Sequence, residues 1–159
     1  MPISAAHNVT ISPEAADGQD AHICLGHYFD ELNTRFEGGF AYDRSGLMDH
    51  ADFIPPRGGF VIARLDGVPI GCGGLKQLDE QTGEIKRVWL HPASRGLGVG
   101  KRIIIALEDM ARQSGMTVMR LDTNRALTEA KSIYEIMGYI EIAAYNDNPY
   151  AHHWFEKAL

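Results

Sequence analysis

The stretch Val88-Trp-Leu-His-Pro-Ala-Ser-Arg-Gly-Leu-Gly-Val-Gly-Lys101 runs from an apolar strand end, through a glycine-rich turn, into a helix. Gly96, Gly98 and Gly100 stand at every second position, so the backbone can come close to a ligand and take positive φ where the turn requires it. The turn delivers its free amides to a helix N-terminus, where the helix dipole also favours negative charge. Arg95 before it and Lys101 after it add positive side chains. Glycines alone would fit a tight strand-to-helix turn. With these flanks the segment reads as a cradle for a pyrophosphate.

Upstream of the cradle the pattern is one of strands. Residues 60–65 and 68–75 are strand-like and are joined by Asp66-Gly67, a two-residue hairpin signal. A second turn at 81–83 leads into a third strand, 84–90, closed by His91-Pro92. These make an antiparallel meander. Before it, a short strand at 9–11 precedes a helix whose apolar stripe is Leu25, Phe29, Leu32 and Phe36, ended by Gly38-Gly39. Residues 43–57 read as a mixed loop or short helix.

Downstream, Val99, Ile103, Leu107 and Met110 mark the buried face of a helix that stops at Gly115. A strand at 118–123 follows. A second helix carries Ala130, Ile133, Tyr134 and Met137 on one face and ends at Gly138. Residues 139–145 resume strand character, and the aromatic tail at 149–159 includes a last strand. Helices and strands alternate only in the second half, which predicts a mixed α/β domain spanning residues 1–159, with a mixed and mostly antiparallel sheet.

Two nucleotide motifs are excluded by form. A Walker loop needs a glycine at position 95 and Ser or Thr after the lysine, whereas Arg95 and Arg102 stand there. A dinucleotide fingerprint belongs after the first strand of a βαβ unit, not after a meander. The chain instead resembles the GNAT N-acetyltransferase family, whose coenzyme-A loop has the form Q/R-x-x-G-x-G/A; Arg95, Gly98 and Gly100 match it. Ala130-Lys-Ser-Ile-Tyr-Glu-Ile-Met-Gly-Tyr139 is similar to that family's A-x-x-x-Y-x-x-x-G-F/Y segment. The two motifs stand in the family's order, separated by one helix and one strand.

The resemblance implies a fold in which the strand ending at Leu90 splays from the strand at 118–123, leaving a gap between two parallel strands. Backbone groups of Val88, Trp89 and Leu90 would then hold the pantetheine arm and acetyl carbonyl of acetyl-CoA. Amides of Gly96, Leu97, Gly98, Val99, Gly100 and Lys101, with Arg95, would hold its pyrophosphate. The family's asparagine before the alanine of the second motif is absent: Leu127 stands three residues ahead of Ala130, and Asn124 is the available substitute.

A thioester is already activated, so transfer to an amine needs orientation, removal of the ammonium proton, oxyanion stabilisation and protonation of the thiolate. By resemblance Tyr134 is the proton donor to the leaving thiolate, although its helical position also suits a core tyrosine. Glu84 corresponds to a family general base and is equally readable as a solvated strand-end charge. Lys86 and Arg87 beside it favour its anion and point to a water relay. The family's acceptor site implicates Tyr28, Arg35 and Phe36 on the first helix, while Tyr145 and His153 in the aromatic tail are pocket-lining candidates. The acceptor is expected to be a small-molecule or peptide amine. A non-catalytic acyl-CoA-binding regulatory module is the rival reading.

The 159 residues are 45% hydrophobic and 23% charged, ordinary for a globular domain. The 21 acidic and 15 basic residues give a formal net charge of −6, which argues against nucleic acid. No membrane-spanning run or secretory signal is visible, and the cytoplasm follows by default. A homodimer is compatible with the sequence. Cys24 and Cys72 lack paired-motif spacing and read as free thiols, and no metal site is expected. Cys72, with no histidine paired to it in the sequence, is a poor candidate for a covalent acyl-enzyme.

Overall fold

The computed structural model describes residues 8–40 and 51–159. Along them run β1 (Val9–Pro13), α1 (Gln19–Arg35), β2 (Gly58–Leu65), β3 (Val68–Gln77), β4 (Thr82–Leu90), α2 (Val99–Gln113), β5 (Val118–Thr123), α3 (Thr128–Ile136), β6 (Ile140–Ile142) and β7 (His153–Ala158). Of the segment read as loop or short helix, residues 43–50 lie outside the described residues, and Ala51–Phe53 forms one tight 3-10 turn.

The strands form one seven-stranded sheet in the order β1-β2-β3-β4-β5-β7-β6. Every pairing is antiparallel except β4 with β5. The β2–β3–β4 meander and the mixed sheet are as the sequence implies. Two boundaries differ. The turn before β4 lies ahead of Thr82, because the Asp79 carboxylate accepts the amides of Gln81 and Thr82 at 2.9 and 2.8 Å. The strand expected at 139–145 keeps only Ile140–Ile142, because Asn146 and Asn148 side chains draw the following backbone into Asx turns.

Both faces of the sheet are buried. Phe60 and Ile62 point toward α1, packing with Leu25, Phe29, Leu32 and Trp89, while Val61 and Ala63 point toward α2. On α2, Ile103, Ile104, Leu107 and Ala111 are at most 1% exposed. Full burial of such an aliphatic side chain contributes about 1.5–3 kcal/mol. Close approach of α2 depends on the glycines of β3: a Cβ at Gly73 would lie 2.8 Å from Ile103 Cγ2. Glu108 is the buried charge on this face. It accepts the Tyr139 hydroxyl at 2.7 Å and the Lys157 ammonium at 2.9 Å, tying α2 to β7.

Candidate active site

The parallel ladder between β4 and β5 is short. Thr82, Gly83 and Glu84 pair with Val118, Met119 and Arg120, and from Ile85 onward β4 has no β5 partner. Meanwhile β5 stays paired with β7 through Thr123. A register shift opposite Gly73 and a positive φ of 58° at Arg87 mark a bulge that bends β4 at this point. The Cys72 thiol donates to the Arg87 carbonyl at 3.3 Å and fixes the bulge. Cys72 is fully buried, and that burial pushes its thiol well above the ordinary range, so it is unsuited to act as a nucleophile. Cys24 is buried as well, and both cysteines are free.

The splay opens two cavities that share a wall. The first, about 80 Å³, runs between β4, α2 and α3; Val88, Leu90, Gly100, Ile104, Ile133 and Tyr134 line it. At its end the glycine turn caps α2. Gly98 takes φ 79° as the N-cap, and the first intrahelical bond there runs from Arg102 N to Gly98 O. The amides of Val99, Gly100 and Lys101 therefore precede the helix ladder. Leu97 and Val99 pack into the core, whereas a Cβ at Gly96 or Gly98 would meet no atom within 4 Å. Side chains turn inward and amides outward, which is the form an anion cradle needs. Trp89 lines this cavity too and stacks on His27 with ring centroids 5.2 Å apart.

Arg95 stands at the cradle, already engaged. Its guanidinium donates to the Leu90 carbonyl at 3.0 and 3.2 Å and to Glu31 at 2.6 Å. Arg35, a candidate for the acceptor side, belongs to the same network. It reaches Glu31 at 3.4 Å, Glu129 at 2.9 Å and the Ala126 carbonyl at 2.6 Å, linking α1 to α3 beside the first cavity.

The second cavity, about 270 Å³, lies on the α1 side of the splay. Rings form its walls: Tyr28, Phe29, Phe36, Phe40 and Tyr150. Phe40 and Tyr150 approach to 4.6 Å and Phe29 and Phe40 to 5.8 Å between centroids. Lys86, Arg87 and Asp122 are the charged residues lining it among the described residues. The Arg87 guanidinium lies over the rings of Phe29 and Phe53, at 5.7 and 4.9 Å. The Asp122 carboxylate accepts Asn146 at 2.7 Å and Asn148 at 3.2 Å. Asn124 lines this cavity rather than the first. Its amide is used twice, donating to the Tyr150 carbonyl at 2.7 Å and accepting Ala126 N at 2.9 Å.

Tyr134 and Val88 line both cavities, as does Tyr28 from α1. Tyr134 is 6% exposed, and its hydroxyl makes no hydrogen bond among the described residues. Burial pushes the phenols of Tyr134 and Tyr28 above the ordinary tyrosine value. Glu84 is not solvated: it is 3% exposed, accepts the Tyr145 hydroxyl at 2.5 Å and pairs with Lys86 at 3.2 Å. It lines neither cavity. Tyr145 sits behind it with the Arg120 guanidinium 5.2 Å from its ring centroid. His153 lies on β7 diagonal to the sheet-edge Glu141, 2.7 Å from that carboxylate, and lines neither cavity.

Sequence reasoning passed over Asp122, Lys86, Arg87 and Phe40 as cavity residues, and Tyr150 was covered only by the reading of the aromatic tail as a pocket wall. Of these, Asp122 carried a readable signal, an acidic residue near the carboxyl end of the strand predicted to border the gap. Among the described residues no group of three or more His, Cys, Asp or Glu is placed to hold a metal, and no helix is long and apolar enough to cross a membrane.

Comparison with known proteins agrees with this geometry. The chain is 29% identical over 135 residues to an IAA acetyltransferase of Azospirillum brasilense, covering 84% of this chain and 86% of that one. The further curated relatives it matches are spanned over 31% to 60% of their length. An acetyltransferase of the GNAT family from Staphylococcus aureus Mu50 superposes with a TM-score of 0.78 at 16% identity, over 94% of this chain and 98% of that one. A GNAT family acetyltransferase from Elizabethkingia anophelis, solved with acetyl-CoA bound, gives 0.67 at 16% identity, over 96% and 99%. At such identities the likeness is one of fold. Residues 26–139 match the acetyltransferase (GNAT) family, and the chain belongs to it.

Proposed function

We propose that the protein transfers an acetyl group from acetyl-CoA to a primary amine, by direct attack while both are bound. The observation that carries this is the pair of cavities meeting at the β4–β5 splay, with Val88 and Tyr134 in both walls. A donor in the first cavity and an amine in the second would meet across that wall, and holding two reactants so lowers the barrier.

In this reading the first-turn amides from Gly96 to Lys101 bind the pyrophosphate, with Arg95 exchanging part of its present hydrogen bonding for phosphate oxygens. The unpaired edge of β4 from Val88 to Leu90 holds the pantetheine arm and polarises the acetyl carbonyl. Tyr134 donates its proton to the departing thiolate. Burial keeps the hydroxyl protonated throughout the neutral range, so it is present as a hydrogen-bond donor to the departing sulfur, although the raised pKa makes it a weaker acid. Glu84 is assigned a positioning role. Its buried carboxylate holds Lys86 at the cavity wall and Tyr145 behind it. Glu84→Gln should then lower the rate by a similar factor at every pH, rather than shift the pH dependence.

The test is thiol release from acetyl-CoA across a panel of amines, with the acetylated product identified by mass spectrometry. Release that depends on the amine, with added mass on its nitrogen, is the expected result. Binding of acetyl-CoA without release for any amine would leave a non-catalytic acyl-CoA-binding module.

A further inference from the structure

We propose that Asp122 receives the acceptor's ammonium group and takes its proton, and that the acceptor is a small monoamine on an apolar, ring-bearing body. This rests on the N-acetylation reading above and adds a residue and a substrate class to it.

The placement of Asp122 comes first. It lies near the carboxyl end of β5, two residues beyond Arg120, where the last parallel pair with β4 closes. Its strand neighbours Met119 and Leu121 turn into the α2 core, so Asp122 faces the other side, into the larger cavity. Both carboxylate oxygens are held by neutral amide donors, Asn146 at 2.7 Å and Asn148 at 3.2 Å. Those bonds orient the group without cancelling its charge, and each oxygen keeps a lone pair for a further donor. Glu84 differs on every count. It is buried out of the cavity, and a lysine already neutralises it.

The walls then limit the amine. Among the described lining residues Asp122 is the one carboxylate and Lys86 and Arg87 are the cations, Lys86 sharing its charge with Glu84 outside the cavity. One ammonium can sit on Asp122, whereas further positive charges of a polyamine or aminoglycoside would face those cations. Six aromatic rings stand among the described lining residues, and about 270 Å³ admits a small body rather than a folded peptide end. Lys86 and Arg87 also tolerate a carboxylate on the acceptor, as in an aromatic amino acid.

The proton balance closes. Asp122 accepts one proton from the ammonium, and the freed lone pair forms the C–N bond to the acetyl carbon. Collapse of the tetrahedral intermediate breaks the C–S bond. Tyr134 gives its proton to the thiolate, and the second nitrogen proton leaves to water. Asp122 sheds its proton to solvent and Tyr134 regains one, so ammonium and thioester become amide, thiol and one released proton.

The experiment compares phenylethylamine, phenylalanine and spermidine as acceptors, using thiol release by the full chain. At least one of the two ring-bearing amines should exceed spermidine in kcat/KM by about tenfold or more. Asp122→Asn should lower kcat/KM by about 100-fold near neutral pH, with the loss shrinking as pH approaches the amine's own pKa. Its affinity for acetyl-CoA, measured by calorimetry, should stay as in the wild type. Asp122→Glu keeps the charge and should keep the wild-type pH dependence at a reduced rate, which serves if the asparagine variant folds poorly. The two ring-bearing amines differ by a carboxylate, so their ratio reads the contribution of Lys86 and Arg87. Preference for spermidine, a loss equal at all pH, or equal loss in the Glu and Asn variants would each overturn the proposal while leaving N-acetylation standing. Absence of turnover with every amine would overturn both.

Discussion

The two cavities that meet at the splay are made of different material. The smaller has apolar side-chain walls but is bordered by backbone: a β4 edge without a β5 partner and, at its end, the glycine turn that opens α2. The larger is built from side chains drawn from α1, the bulge of β4, the end of β5 and the β6–β7 connection. A backbone site depends on a few glycines and tolerates change in most side chains. A side-chain site can be re-specified by single substitutions. This is why one scaffold can keep a common donor while its acceptor varies.

The comparison breaks most visibly at Gly98. An aspartate there would turn its carboxylate toward the cradle, and we expect acetyl-CoA affinity to fall by about 100-fold or more in calorimetric titration. The residue sits at φ 79° with open space around the missing Cβ, so the fold should survive at a backbone cost of about 1–2 kcal/mol. Gly98→Ala carries a similar backbone cost without the charge and should bind much more tightly than Gly98→Asp. Equal losses in the two variants would assign the effect to strain. Near-native affinity in both would move the cradle elsewhere.

Tyr134 tests the shared wall. Tyr134→Phe should lower kcat by about tenfold or more and leave acetyl-CoA affinity unchanged. The hydroxyl has no hydrogen bond among the described residues, so thermal stability should hardly move. An unchanged kcat in the folded variant would make Tyr134 a packing residue beside Tyr139, whose ring lies 5.9 Å away.

The same tyrosines set an alkaline limit on stability. Burial raises the pKa of Tyr28, Tyr134, Tyr139 and Tyr145, with Glu108 and Glu84 adding to the last two through their hydrogen bonds. A phenol whose folded pKa lies above its unfolded value stabilises the fold below about pH 10, and that contribution is lost as pH rises further. Denaturant midpoints should therefore hold through about pH 10 before falling. Phenolate absorbance should lag behind that of the unfolded chain. Four tyrosines titrating with the unfolded chain's would contradict their burial.

Legibility in the sequence follows the same division. The strand expected at 118–123 is β5 to the residue, because alternation and flanking turns are local properties. The turn into α2 was legible because glycine spacing next to a helix start has few physical readings. Glu84 read equally as a general base and as a solvated strand end. Its partner Tyr145 is 61 positions away, and nothing in either neighbourhood announces the other. Asp122 showed only as an acidic residue near a strand end, and the asparagines that orient it lie 24 and 26 positions downstream. His153 illustrates the converse error. Aromatic density in the tail suggested a pocket wall, which Tyr150 supplies, but strand parity placed the His153 ring beside Glu141 at the sheet edge. Backbone chemistry shows in short segments, and long-range side-chain pairing does not.

The smallest effect expected is at Glu31, a carboxylate at the smaller cavity that pairs with two arginines. Its carboxylate holds Arg95 at 2.6 Å on one side and Arg35 at 3.4 Å on the other. If Arg95 turns to a pyrophosphate, it must give up part of this pairing, so Glu31 competes with the donor for the same guanidinium. The Arg95 and Glu31 side chains are 30% and 22% exposed, and a pair of that kind contributes about 0.2–1 kcal/mol. At 1.4 kcal/mol per factor of ten, Glu31→Gln should tighten acetyl-CoA binding by roughly 1.4- to 5-fold. The gain should shrink as salt is raised, since screening already weakens the competitor in the wild type. A weakening of similar size would mean instead that Glu31 holds Arg95 ready for the phosphates. In that case Glu31→Gln combined with Arg95→Gln should bind no more weakly than Arg95→Gln alone, because the carboxylate would have nothing left to position.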